Sequence, residues 1–122
     1  MKLVIGITGS TGVIYGIRIL EKLKEFNIET HLIMSDWAQK CITMETEYDL
    51  NYVKSLGTVI SDDANMAASI SSGTHKTDGM IVIPCSMKTL SSIANGYDET
   101  LVARAAGVII KESRKLILVA RE

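Results

Sequence analysis

The first twelve residues constrain the fold more than any other stretch. Lys2 to Ile7 is an apolar run, as expected of a strand covered on both faces and therefore of a parallel sheet. Gly9-Ser10-Thr11-Gly12 follows as a turn, and residues 13 to 26 then read as a helix. Gly16, Ile19, Leu20, Leu23 and Phe26 fall on one face of that helix, with Arg18, Glu21, Lys22, Lys24 and Glu25 mainly off it. After a turn at Asn27, Glu29 to Met34 reads as a second strand, and Ser35 or Asp36 caps a helix running to about Glu45. A β-turn-α-β-α opening belongs to parallel sheets with helical crossovers.

The remainder continues the pattern less clearly. Residues 49 to 56 and 62 to 72 read as short helices, and Ser71-Ser72-Gly73-Thr74 as a loop. Met80 to Ile83 is a second buried strand, ended by Pro84. A helix is expected from Thr89 to Asn95, and a longer one over 99 to 114 with Leu101, Ala105, Val108, Ile109 and Glu112 along one side. Leu116 to Val119 is a last apolar strand. The expected fold is a three-layer αβα, Rossmann-like (flavodoxin-like) parallel sheet, one domain over residues 1–122. A strand so close to Glu122 leads to the expectation that a last αβ portion is absent, because ligands bind beyond the carboxyl ends of such strands.

Composition excludes several functions. Thirteen basic against fourteen acidic side chains give a formal charge of −1, so no basic excess drives binding to nucleic acid. Aromatic residues are 5% of the chain, too few for base-stacking platforms. No apolar run approaches the ~20 residues of a membrane span, and the start lacks the pattern of a signal peptide. Cys41 and Cys85 match no zinc spacing. They read as reduced thiols, which makes a cytoplasmic location the expectation. No metal is assigned: His31 reads as structural within its strand, and His75 as a loop residue without a partner at metal spacing.

Gly6, Gly9 and Gly12 give G-x-x-G-x-x-G between a strand and a helix. Glycines let the backbone approach an anion, and the helix N-terminus supplies free N–H groups. Ser10 and Thr11 add hydroxyls. The plain alternative is a tight β-α turn with nothing bound. The P-loop lysine is absent, which disfavours an ATPase. At the tip of the second strand Ser35 stands where a dinucleotide site usually has an acid, which favours a mononucleotide such as FMN over NAD. Pro84-Cys85-Ser86-Met87-Lys88-Thr89 offers hydroxyls, an ammonium and backbone N–H groups at another strand end. Cys85 reads as a small buried hydrophobe, and Lys88 as a ligand group or a solvated helix-start lysine. Glu45 opposes the dipole at its helix end, as a site residue or a solvated carboxylate. Arg104, Lys111, Arg114, Lys115 and Arg121 form a basic set. Arg104, Lys111 and Lys115 share one helix side by spacing, for an anion or merely for solvent.

Taken together, these stretches resemble the flavin prenyltransferase family, and within it the small flavoprotein subunit associated with bacterial phenolic (aromatic) acid decarboxylases. The residues that carry the resemblance are Gly6 to Gly12, Ser71-Ser72-Gly73, Asp78 to Leu90 (DGMIVIPCSMKTL), Arg104-Ala105-Ala106, Lys111 to Lys115 and Leu118 to Glu122. The family attaches a dimethylallyl group to reduced FMN, making the prenylated cofactor that a partner decarboxylase needs, without a metal. The resemblance implies that Gly9, Ser10, Thr11, Ser35, Ser86, Met87, Lys88, Thr89 and Arg121 hold FMN. It implies that Glu45, Arg104, Lys111 and Glu122 face the isoprenyl phosphate or the reacting flavin. It further implies dimethylallyl phosphate as donor and homo-oligomers, trimer-based and up to a dodecamer, with Arg104 reaching into a neighbour's site. Ala120, Gly107 and His75 replace the family's usual proline, aspartate and phenylalanine. Family members continue past Arg-Glu, so the C-terminal part of the family domain is expected to be absent. The alternatives are an FMN-binding accessory subunit with impaired catalysis and an NAD enzyme, the latter disfavoured by Ser35.

Overall fold

Parallel pairing begins at β1 (Lys2–Ile7), which is flanked by β2 (Glu29–Met34) and β4 (Gly79–Cys85). In the computed structural model, which describes residues 1–73 and 75–122, β3 (Val59–Asp62) and β5 (Lys115–Ala120) complete a sheet of order β3-β2-β1-β4-β5. Every strand pair is parallel. The chain therefore runs outward from β1 to β3, then crosses back to the other side of β1. Helices make the other crossovers, α1 (Val13–Glu25), α2 (Asp36–Glu45), α3 (Leu50–Ser55), α4 (Met87–Ala94) and α5 (Leu101–Lys111), whereas the passage from β3 back to β4 has no α-helix among the described residues.

Strand alternation sorts the core into two sides. Ile5, Ile7, Leu32 and Met34 pack against Val13, Ile17 and Leu20 of α1 and against α2 and α3. Val4, Ile33, Met80 and Val82 face Leu101, Val102, Ala105, Ala106 and Ile109 of α5. This is the three-layer αβα arrangement that the apolar runs lead one to expect. Gly16 lets α1 lie directly on the sheet, because a Cβ there would come within 2.5 Å of the Ile83 carbonyl oxygen.

Four sequence expectations are corrected. Residues 62–72 do not form a helix: β3 ends at Asp62, turns follow, and a single 3-10 turn spans Ser69–Ser71. The edge strand β3 was missed because it has four residues and exposes Val59 and Ile60, so it carries no buried run. Pro84 does not end β4, which continues to Cys85 through a cis Ile83–Pro84 bond. The Pro84 carbonyl still accepts from the Thr8 N–H at 3.2 Å. The long helix stops at Lys111, and Ser113 takes a φ of 56°. Lys115 consequently lies on β5 rather than beside Arg104 and Lys111 on one helix side. Phe26 caps α1 and is 69% exposed, so the apolar face of α1 closes at Leu23. Thr74, read as part of a loop, lies outside the described residues.

His31 is buried in β2, as its apolar neighbours imply, and its Nε2 lies 2.7 Å from Ser61 Oγ on β3. The His75 ring meets it edge-on at 6.2 Å, so His75 has a ring partner that the sequence did not reveal. Burial, and secondarily His75, hold the His31 pKa below its ordinary value near 6.5. A depressed folded pKa means that the unfolded chain binds the proton first. The stability His31 contributes is thus present above the ordinary pKa and is lost as pH falls through it and the lower folded value. His31→Gln, which retains a polar partner for Ser61, is expected to flatten the decline of melting temperature below pH 6.5, measured by thermal unfolding across pH.

Candidate functional site

The strand order reverses between β1 and β4. Such a switch point opens a crevice beyond the carboxyl ends of the strands. Here it is a cleft of about 290 Å³ bounded by Thr8 and Gly9 after β1, Ser35 after β2 and Ser86 after β4. Lys88, Thr89, Trp37 and Asp63 add to the lining.

Three helix N-termini meet at this cleft, each capped by a hydroxyl that lines it. Ser35 Oγ accepts from the Ala38 N–H at 3.0 Å at the start of α2. Ser86 Oγ accepts from the Thr89 N–H at 3.2 Å at the start of α4, and donates to Thr89 Oγ1 at 3.0 Å. Thr100 Oγ1 accepts from the Ala103 N–H at 3.2 Å at the start of α5. The aligned dipoles make the cleft favourable to negative charge, and Lys88 supplies a full positive one.

Thr8 was not anticipated, although it holds the cleft together. Its buried hydroxyl donates to the Pro84 carbonyl at 2.7 Å and accepts from the Ser86 N–H at 2.9 Å. The ends of β1 and β4 are thereby joined. Thr8→Val is expected to cost about 1–3 kcal/mol by leaving the Ser86 N–H without its acceptor, measured by denaturant unfolding. Trp37 was also missed. Its ring fills the space over Gly9, where a Cβ would lie 2.1 Å from Trp37 Cδ1. Gly9 is therefore needed for close approach, and Trp37 gives the cleft an aromatic wall.

Asp63 is the third addition. Its Oδ1 accepts from the Val102 N–H at 2.9 Å, and its carbonyl accepts from the Leu101 N–H at 2.8 Å. Burial raises its pKa above the usual aspartate value, against the lowering effect of those helix N–H groups. Its position on a turn after an unrecognised strand hid it from sequence reasoning.

The other flavin-directed candidates lie beside the cleft rather than along it. The α1 cap, Gly12, has a φ of 93° and no side-chain cap. The Thr11 N–H donates to the Glu122 main-chain oxygen at 2.8 Å, and the Thr11 hydroxyl donates to the same oxygen. An oxygen acceptor thus already sits on the glycine turn. Arg121 Nε donates to the Thr11 carbonyl at 3.2 Å, and its guanidinium stacks 5.1 Å from the Tyr15 ring centroid. Ser10 is buried in the same turn, and Met87 is exposed at the start of α4.

Arg104 and Lys111 come together elsewhere. They line a separate open basin on the outer side of α5, with Ser71, Ser72, Gly73 and Asp98. Arg104 pairs with Asp98 at 3.1 Å and Lys111 with Glu112 at 3.9 Å. Glu45 is exposed at the end of α2, outside both sites; burial, and secondarily Glu45, raises the pKa of the Cys41 thiol. Cys85 is buried, with its pKa raised by burial, as suits an inert thiol. Among the described residues no group of three His, Cys, Asp or Glu side chains could hold a metal ion, and no helix is long and apolar enough to cross a membrane.

Comparison with known proteins places this geometry. The flavoprotein family profile matches residues 1–121. A probable UbiX-like flavin prenyltransferase of Escherichia coli O157:H7 is 54% identical over 123 aligned positions, covering 100% of this chain and 62% of the relative. The flavin prenyltransferase UbiX of Thauera aromatica is 48% identical, covering 100% of this chain and 63% of its own length. The chain thus spans less than two-thirds of the length of these relatives. The crystal structure of AnUbiX in complex with FMN and dimethylallyl pyrophosphate superposes with a TM-score of 0.97 at 47% identity, covering 99% of this chain and 64% of that one. A dodecameric FMN-dependent UbiX-like decarboxylase from Escherichia coli O157:H7 gives 0.97 at 54% identity, covering 100% of this chain and 67% of that one.

Proposed function

The chain belongs to the flavoprotein family, and within it we propose an FMN-binding flavin prenyltransferase that uses dimethylallyl phosphate and serves a partner aromatic acid decarboxylase. The observation that carries this reading is the convergence of three hydroxyl-capped helix N-termini on one cleft at the switch point. FMN fits that donor set. Its phosphate matches the N-terminal dipoles and Lys88, its ribityl hydroxyls match Ser35, Ser86 and Thr89, and its ring matches Trp37.

When bound, reduced FMN would supply N5 as the nucleophile toward the allylic carbon, with phosphate as the leaving group, and C6 for the closing bond to the alkene, the flavin protons being passed to the alkene and to solvent. The protein's part is electrostatic and spatial. Arg104 and Lys111 stabilise the departing phosphate. Trp37 limits water over Gly9, where an allylic cation would otherwise be captured. The resemblance gives proton transfer to Glu45 and Glu122, of which Glu45 stands outside both the cleft and the basin of a single copy and would have to act from its margin. Among the described residues none lines both the cleft and the Arg104–Lys111 basin, which favours homo-oligomers in which one copy's basin meets another's cleft. A cytoplasmic location accords with two buried reduced thiols.

The test is flavin titration followed by turnover. FMN is expected to bind more tightly than FAD or NAD, and reduced FMN with dimethylallyl phosphate is expected to give a product with a changed flavin spectrum. NAD binding without FMN binding would sink the reading. FMN binding without turnover would leave the accessory-subunit alternative.

A further inference from the structure

We infer that Arg114 and Glu112, which line neither the cleft nor the basin, are positioning residues that hold the Ser71–Gly73 wall of the basin in place. The inference rests on the reading of that basin as the site of the donor's phosphate. The Arg114 guanidinium is half-buried and spans the loop. One nitrogen donates to the His75 carbonyl at 3.1 Å and another to the Gly73 carbonyl at 3.4 Å. A planar fork can hold two carbonyls in fixed relation, whereas a lysine ammonium is a point charge on a flexible stem.

Glu112 presses on the same segment. A Cβ on Gly73 would lie 2.3 Å from Glu112 Oε1 and 3.2 Å from its carboxyl carbon. An alanine at position 73 would therefore have to turn the Glu112 carboxylate aside, which would loosen its contact with the loop. Glu112 also pairs with Lys111, so one carboxylate touches the loop on one side and a basin cation on the other. Lys111, Glu112 and Arg114 stand close together in sequence because α5 ends at Lys111 and the chain must turn into β5 at Lys115. The turn serves two ends at once: it starts β5 and fixes the loop that faces Arg104 and Lys111 across the basin. A loop free to drift would widen the basin and weaken the hold on a phosphate without touching the flavin cleft.

The experiment compares the unmodified protein with Arg114→Gln, Arg114→Lys and Gly73→Ala. Steady-state kinetics with dimethylallyl phosphate are combined with FMN titration and amide hydrogen exchange over residues 71–75. Arg114→Gln is expected to raise KM for the donor on the order of 10-fold, as drift of the loop costs the donor's phosphate about one charge-assisted contact. Its kcat and FMN affinity should stay within about two-fold of the unmodified protein, and exchange in the loop should rise. Arg114→Lys is expected to fall between, and Gly73→Ala to shift KM in the same direction. A general loss of structure would instead lower FMN affinity and kcat together, and that pattern overturns the inference. So does unchanged KM with unchanged loop exchange. If the unmodified protein binds FMN but never turns over the donor, the reading of the basin fails, and loop exchange alone decides the clamp: a rise in Arg114→Gln upholds it, no change removes it.

Discussion

The double replacement of Arg104 and Lys111 by alanine is expected to lower kcat/KM for dimethylallyl phosphate by about 10²- to 10⁴-fold, with FMN affinity changed by no more than a few-fold. Both cations line the same basin, whose lining shares none of the described residues with the flavin cleft, although Arg104 lies one helical turn after the Thr100 cap. A charge-assisted hydrogen bond to phosphate is worth about 1.5–3 kcal/mol, and two such losses give the stated range if they add. Neither cation is so tightly held that it could not turn to a ligand. The Arg104–Asp98 pair is solvent-exposed on both sides, and exposed pairs are worth little. Steady-state kinetics with varied donor and a parallel flavin titration decide the matter. A fall in FMN affinity as large as the fall in kcat/KM would place the two cations at the flavin. Unchanged kinetics would make the basin a solvated face.

What the sequence made legible follows from burial. β1, β2 and β4 carry runs that must be covered on both sides, and the amphipathic stripe of α1 orients itself, so the three-layer parallel fold could be read directly. The same holds for Ser35 and Ser86, because a hydroxyl between an apolar strand and a helix is a cap, and caps at strand ends lie where ligands bind. β3 was hidden because an edge strand with both faces half-exposed has no periodic signal. Asp63 was hidden with it, since its place at the cleft depends on the turn that follows β3. Trp37 was visible only as an apolar residue in the first turn of a helix; nothing local says that its ring crosses to Gly9. The extension of β4 through Pro84 was missed because proline usually stops a ladder. Here its carbonyl remains available to Thr8, and the contact joins residues 76 positions apart in sequence. The separation of Arg104 from the cleft is likewise a tertiary fact: helical spacing grouped it with Lys111 correctly and with Lys115 wrongly, because the helix ended sooner.

Gly16→Ala is expected to destabilise the protein by about 1–3 kcal/mol or more, opposite in sign to what helix propensity alone would give. In a helix interior, glycine to alanine ordinarily stabilises by about 0.5–1 kcal/mol. At Gly16 the added carbon would sit 2.5 Å from the Ile83 carbonyl oxygen and 2.9 Å from Ile7 Cδ1. The isoleucine could change rotamer, but a strand carbonyl cannot turn aside, so α1 would have to lift from β1 and β4. Ile83 lies just before Pro84, whose carbonyl receives Thr8, so a displaced α1 would also disturb the strand ends that frame the cleft. FMN affinity should therefore fall along with stability, and Gly16→Val should exceed Gly16→Ala in both. Gly107 is the matched control. It lies in α5, a Cβ there would meet nothing within 4 Å, and Gly107→Ala is expected to stabilise by about 0.5–1 kcal/mol. Denaturant unfolding of the two alanine variants should give shifts of opposite sign. Equal shifts would mean that helix propensity, not the contact of α1 with the sheet, governs position 16.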